Sequence, residues 1–168
     1  MKAKICILGE FAVGKSSLTR RLVQNEFDAE YKSTIGVSIH RHVMQVRDEE
    51  YSLIVWDLEG GEESLDTIQP YLRGATGAVV VADLSRPETI SKLSVYQDYL
   101  NTHANLSSLV VALNKSDLVE APEDQVEKVR SSFLSKIQGP AKTAVRVTSA
   151  ATGSNVDELF SVLCENLV

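Results

Sequence analysis

The sequence predicts an α/β fold: a doubly wound, mostly parallel six-stranded sheet with one antiparallel edge strand and helices on both faces. Three observations carry this. Short apolar, β-branched runs recur along the chain, as buried parallel strands require. Segments of helical spacing lie between them, which is the alternation of βαβ units. One stretch, Val37 to Val46, instead leads through a charged turn directly into the next apolar run, the pattern of an antiparallel hairpin.

The elements follow in order. Ile5-Cys6-Ile7-Leu8 is the first strand, and it runs into a glycine-containing loop. Val37 to Val46 is the edge strand; after the turn Arg47-Asp48-Glu49-Glu50 it is followed by Leu53-Ile54-Val55-Trp56. Ala78-Val79-Val80-Val81, Leu109-Val110-Val111-Ala112-Leu113 and Ala144-Val145-Arg146-Val147 complete the sheet. Pro122 to Ile137 has helical periodicity, with Val126, Val129, Phe133 and Ile137 on one face. The last helix begins after Gly153, with Ser154 and Asp157 spaced for a capping interaction and Val156, Leu159, Phe160 and Leu163 facing inward.

Composition bounds the class. The 168 residues, 43% of them hydrophobic, are enough for one domain spanning residues 1–168 with a proper core. A net charge of −6, from 23 acidic and 17 basic residues, leaves no electrostatic footprint for nucleic acid or an anionic membrane. Cys6 sits in an apolar run and Cys164 in a terminal amphipathic pattern, so neither suggests a disulfide framework, and a reducing, cytoplasmic setting is expected. No apolar run approaches the roughly 18 residues of a membrane span. Cys164 is one residue too far from the end for a prenylation box, so any anchor is expected outside this chain.

The chemistry starts directly after the first strand. Gly9-Glu10-Phe11-Ala12-Val13-Gly14-Lys15-Ser16 fits G-x-x-x-x-G-K-[ST] in the strand-to-helix context the motif requires. Such a loop turns backbone N–H groups, here those of Ala12 through Ser17, and the positive helix end toward phosphates. Lys15 would reach the β- and γ-phosphates and Ser16 would ligate Mg²⁺. Asp57, which ends the Trp56 strand, brings a carboxylate to the edge where ligands collect. An aspartate there is often a turn or helix cap. Its distance from the loop and the following Gly60 favour a Mg²⁺ role instead.

The fifth strand ends in Asn114-Lys115-Ser116-Asp117 and the sixth leads into Thr148-Ser149-Ala150. A carboxylate such as Asp117 accepts hydrogen bonds from the N1 and exocyclic amino groups of guanine, which adenine does not offer. With the loop at Gly9–Ser16 and Asp57-Leu58-Glu59-Gly60, these motifs resemble those of Ras-superfamily GTPases, in the family's order and over essentially the whole chain. The resemblance implies a Ras-like P-loop fold that binds GTP or GDP with Mg²⁺. It implies that Lys115 lays its stem on the purine, that Asn114 ties loops together, and that Ala150, in the loop begun by Ser149, offers its N–H to the guanine O6. Phe27 would cover the ring's edge. Tyr31 to Gly36 looks like a Rab-type switch I, in which Thr34 would complete Mg²⁺ coordination and sense the γ-phosphate; Gly60 would give its N–H to that phosphate in switch II. Trp56 and Tyr71 match two members of a Rab aromatic effector triad whose third position is Ile39. Ordinary core packing is the competing reading of those aromatics.

Three residues depart from the family pattern. Gly61 stands where the family has a water-orienting glutamine. Phe11 stands where it has a small residue and an activating protein's arginine must pass. Glu59 stands where it has alanine, adding a carboxylate beside the γ-phosphate. The expected function is a GTP-binding switch with slow hydrolysis, Lys15, Thr34 and Gly60 positioning the phosphate. The alternatives are turnover positioned by Glu59, Glu62 or a partner's side chain, and a GTP-loaded scaffold that does not cycle. His40 and His42 share one strand face without an evident third metal ligand and read as solvent-facing or effector-surface residues; His103 reads as surface.

Overall fold

The computed structural model describes residues 1–25, 27, 36–58, 60–61, 64–136 and 141–168. Strands β1 (Lys2–Gly9), β2 (Val37–Val46), β3 (Glu49–Leu58), β4 (Gly77–Asp83), β5 (Ser108–Asn114) and β6 (Lys142–Val147) form one sheet in the order β2-β3-β1-β4-β5-β6. β2 pairs antiparallel with β3, and every other pairing is parallel. Helices α1 (Lys15–Gln24), α2 (Leu65–Ile68), α3 (Pro87–Ser91), α4 (Leu93–His103), α5 (Val126–Leu134) and α6 (Val156–Glu165) connect or flank the strands. The sheet is the one the sequence predicts.

Successive strand side chains point to opposite faces, so continuous apolar runs feed two cores. Ile5, Ile7, Val79 and Val110 face one layer with Leu18 of α1 and Leu159, Phe160 and Leu163 of α6. Cys6, Leu8, Val80 and Val111 face the other with Leu93, Tyr96 and Leu100 of α4 and Val129 of α5. Full burial of one such side chain contributes about 1.5–3 kcal/mol, which is why the runs form strands despite having no polar face.

Local details differ from expectation. The hairpin turn is shorter, since β3 resumes at Glu49 and leaves Arg47 and Asp48 as the turn, with Arg47 at φ +55°. Pro122–Gln125 is a 3-10 turn and α5 starts only at Val126. Val129 is buried and Val126 half-buried as expected; Ile137 and the Phe133 side chain lie outside the described residues. The Ser154–Asp157 capping interaction does not form. The N-cap is Asn155 at φ +58°, without a side-chain cap, because its amide donates to Val147 O at 2.9 Å and ties the helix start to β6. No helix among the described residues is long and apolar enough to cross a membrane.

The consequence for function is topological. β1 neighbours β3 on one side and β4 on the other, so the chain leaves the sheet's centre in both directions. Ligands bind at such switch points, outside the carboxyl ends of the strands. The loops after β1, β3, β4, β5 and β6 all open there.

Candidate nucleotide site

The loop after β1 is held by its carbonyls. Gly9 O accepts from Gly61 N–H (3.3 Å) and Lys15 Nζ (3.2 Å), and Glu10 O from Lys15 Nζ (2.9 Å). Phe11 O accepts from Arg86 Nη1 (2.9 Å), Ala12 O from Lys115 Nζ (2.8 Å) and Val13 O from Asn114 Nδ2 (3.1 Å). Gly14 O takes the first helical bond, from Leu18 N–H (2.9 Å). With its oxygens held by the protein, the loop lies at the positive end of α1, where backbone N–H groups favour an anion. Gly14 is obligatory: it sits at φ +103°, and a Cβ there would lie 2.3 Å from Asn114 Nδ2.

Lys15 is buried, and burial lowers its ammonium to about 8. That value already includes the charges of Asp57 and Glu10, which oppose the shift, and of Arg86, which adds to it. A dianionic phosphate at the loop would favour the charged form. Gly60 lies against this group, since a Cβ on it would meet Lys15 Nζ at 2.6 Å.

Asp57 is buried at the end of β3, and the Ser16 hydroxyl donates to its Oδ2. Its Oδ1 is equally buried, with no hydrogen-bond partner among the described residues. Burial raises the Asp57 carboxyl, against the Ser16 hydrogen bond and the charges of Lys15 and His40, which lower it. A buried carboxylate oxygen with no proton donor, beside a hydroxyl, suits a hard cation with oxygen ligands such as Mg²⁺. Thr34, the other expected ligand, lies outside the described residues, as do Glu59 and Glu62.

The base-side loops form one network. Asn114 Oδ1 accepts from Thr148 Oγ1 (3.1 Å) and from Ala150 N–H (3.3 Å), while its Nδ2 holds Val13. Ser149 Oγ donates to Asp117 Oδ1 at 2.7 Å, which fixes the carboxylate in the 3-10 turn Ser116–Leu118. Lys115, at φ +64°, reaches back over the first loop to Ala12 O and to Asp83 Oδ2 (2.8 Å). The structure thus gathers Ala12, Val13, Gly14, Lys15, Ser16, Gly60, Asn114, Lys115, Asp117, Ser149 and Ala150 at one sheet edge. Ser17 follows in the first turn of α1, and Phe27 is exposed just beyond that helix.

Residues 4–168 match the Ras family. The chain belongs to that family. It is 33% identical to the Ras-related protein RABA5a of Arabidopsis thaliana over 165 residues, 98% of this chain and 72% of that protein. Human Ras-related protein Rab-22A is 33% identical over 159 residues, 94% of this chain and 79% of that protein. A putative Ras-related protein Rab-5B of Dictyostelium discoideum is 36% identical over 167 residues, with 98% and 75% covered. The chain is therefore a Rab-like small GTPase of the Ras superfamily, whose members bind GTP and GDP with Mg²⁺ and engage effectors and regulators.

This GTPase also carries features that its sequence does not advertise. Asp83 ends β4 directly opposite Asn114 of β5, is fully buried, and holds Lys115. Its Oδ1 accepts from Ser85 N–H and Oγ. Its carboxyl is lowered on balance: burial is the largest influence and raises it, but the Lys115 and Ser85 hydrogen bonds together outweigh that. Arg86 follows, bracing Phe11. A charged residue at a strand end resembles a turn residue, so neither stood out. Tyr96 donates to Glu10 Oε2 at 3.0 Å and Tyr99 to Leu65 O at 2.9 Å, joining α4 to the first loop and to α2.

On the hairpin, Ile39 pairs across from Trp56, whose ring lies 5.8 Å from that of Tyr71 at 38°. Lys4 Nζ sits 3.9 Å over the Trp56 ring. Ile39 is 55% and Tyr71 37% exposed, so core packing does not account for those two, whereas Trp56 is half-buried and packs against the core. His40 and His42 correct their expectation. They are half-buried, on the strand face shared with Met44 and Val46, because strand alternation turns them away from Ile39. Among the described residues no cluster of three His, Cys, Asp or Glu side chains is placed to hold a metal. His103 is exposed, stacked on Tyr99 at 4.1 Å. Cys6 and Cys164 are both free and buried.

Proposed function

We propose that residues 1–168 form one guanine-nucleotide switch domain that binds GTP and GDP with Mg²⁺ and hydrolyses GTP slowly. The reading rests on Gly61. In the family's terms this position carries the glutamine that orients the attacking water; here it carries no side chain. Its backbone lies at φ +105°, and its N–H bonds to Gly9 O. That conformation suits glycine and strains other residues.

The amides from Ala12 to Ser17, with Lys15, would hold the phosphates. Ser16, Thr34 and Asp57 would hold Mg²⁺, which when bound would neutralise phosphate charge. Gly60 would donate to the γ-phosphate. Asp117 would read the guanine N1 and amino group, Ala150 its O6, and Lys115 and Phe27 would flank the ring. Phe11 is 54% exposed at the loop position where an activating arginine enters, and its ring would hinder that arginine. Ile39, Trp56 and Tyr71 are the proposed effector surface.

Single-turnover hydrolysis of bound GTP tests this, comparing wild type with Glu59→Ala and Gly61→Gln. Slow turnover in the wild type and in Glu59→Ala is expected. Fast wild-type turnover abolished by Glu59→Ala would overturn the reading. Because Gly61 sits at a glycine conformation, Gly61→Gln is expected to lose about 1–3 kcal/mol of stability without gaining rate. Mostly GDP in the purified protein is expected; mostly GTP would favour a scaffold that does not cycle.

A further inference from the structure

Arg21 lies in the last turn of α1, where an exposed basic residue normally complements the helix dipole. Here its guanidinium is spent otherwise. Nε donates to Ala150 O and Nη2 to Ala151 O, both at 2.8 Å, a fork onto two successive carbonyls across 129 and 130 residues of chain. Nη1 donates to Asn25 O at 3.2 Å and to Asn25 Oδ1 at 3.4 Å. Asn25 is the left-handed C-cap of α1, at φ +53°, and its N–H returns to Arg21 O. The loop lies against the Arg21 stem as well: a Cβ on Gly153 would stand 3.6 Å from Arg21 Cδ.

The two segments joined this way are the two sides of the proposed base slot. One is the loop that presents the Ala150 N–H; the other is the exit of α1 that leads to Phe27. We infer that Arg21 is a positioning residue for guanine, holding the Ala150 N–H where it meets the O6 of the base. The fork supplies what that task requires. A planar guanidinium with 2.8 Å bonds to two successive carbonyls ties down the peptides on the carboxyl side of Ala150, which a single flexible ammonium does not do. Among the described residues the Ala150 N–H meanwhile has only the long 3.3 Å bond to Asn114 Oδ1, which a base oxygen can share or replace. Asp117 is held separately, by Ser149, so the O6 contact and the amino-group contact have different supports. The inference rests on the proposed guanine site.

The separation of supports gives the test. Affinities for GDP, IDP and 6-thio-GDP are measured by titration with Mg²⁺ for wild type, Arg21→Ala and Arg21→Lys. IDP lacks only the amino group read by Asp117; 6-thio-GDP replaces only O6, by a weaker acceptor. Wild type is expected to prefer GDP over each by about tenfold or more. In Arg21→Ala the preference over 6-thio-GDP should collapse to within about threefold, and GDP affinity should drop about tenfold. The preference over IDP should stay within twofold of wild type. Arg21→Lys should fall between, and it supplies the answer should the alanine variant fail to fold. Retention of both preferences, or their parallel loss, would overturn the role of Arg21. A wild type that does not distinguish GDP from IDP would instead sink the guanine site itself.

Discussion

Removing the Asn114 side chain should cost about 3 kcal/mol. The side chain is 1% exposed and makes three bonds: to Val13 O at 3.1 Å, from Thr148 Oγ1 at 3.1 Å and from Ala150 N–H at 3.3 Å. A buried hydrogen bond contributes about 1 kcal/mol net, and each partner left unsatisfied costs about 1–3 kcal/mol. A water entering the vacated space would return part of that, which brings the sum to about 3 kcal/mol for Asn114→Ala. In a chain of this size each kcal/mol lowers Tm by about 2–4 °C, so the GDP-bound protein should melt about 6–12 °C lower. The same three bonds align the phosphate loop with the Ala150 loop. Whatever part of the cost appears in binding multiplies Kd tenfold per 1.4 kcal/mol, so a loss of about ten- to a hundredfold is expected. Thermal unfolding at saturating GDP and Mg²⁺, with a fluorescent-GDP titration, measures both. A double-mutant cycle with Thr148→Val should show coupling of at least about 0.5 kcal/mol. A Tm within 3 °C of wild type, together with unchanged affinity, would show that the loops align without Asn114 and would refute the reasoning.

Two further outcomes follow from the charged groups behind the phosphate loop. Lys15 in the free protein is lowered to about 8 by burial. Below that pH it is charged whether free or bound, so it adds no pH dependence; above it, binding must take up a proton, and affinity should fall by up to tenfold per pH unit. Calorimetry in two buffers of different ionisation heat should find about half a proton taken up near pH 8 and more toward pH 9; no uptake would contradict the assignment. Arg86→Ala removes a charge-assisted bond to Phe11 O, from a side chain already 36% exposed. Solvent screening reduces its worth to about 1 kcal/mol, or about fivefold in GDP affinity. Arg86→Lys should recover only part of that, and an alanine variant indistinguishable from wild type would remove Arg86 from the cradle.

The strands were legible because burial on both faces forces continuous apolar runs, and β2 matched its predicted bounds, Val37–Val46. The phosphate loop and Asn114-Lys115-Ser116-Asp117 were legible because their chemistry needs particular residue types at fixed spacing. What escaped was whatever depends on which partner a polar side chain finds. Ser154 and Asp157 have the right spacing for a cap, yet the helix takes Asn155, since the chain arrives from β6 with Val147 O in reach. His40 and His42 share one face as their spacing requires, but it is the half-buried face of Met44 and Val46, opposite Ile39. Asp83, Arg86 and Arg21 are single charged residues in positions where a solvated side chain is the ordinary outcome. Their roles exist only once the sheet brings distant loops within about 3 Å, the reach of a hydrogen bond.

That division has a functional meaning. The phosphate cradle is supported from outside itself: Arg86 and Asp83 come from the end of β4, Asn114 and Lys115 from the end of β5. Asp83 and Asn114 are buried and adjacent in register, so the supports belong to the rigid sheet edge. Gly61 contributes only a backbone N–H, at 3.3 Å from Gly9 O. On the proposed reading, binding a nucleotide and positioning a water for its hydrolysis draw on different parts of the molecule. A change at Gly61 acts on the bond to Gly9 O, outside the five carbonyls from Glu10 to Gly14, whereas a change at Asn114 reaches Val13 O directly and one at Asp83 reaches Ala12 O through Lys115. Because the anchors from Glu10 to Gly14 do not include position 61, loss of the family's glutamine would on that reading leave nucleotide affinity in place and make the lifetime of the GTP-bound form the quantity that changes.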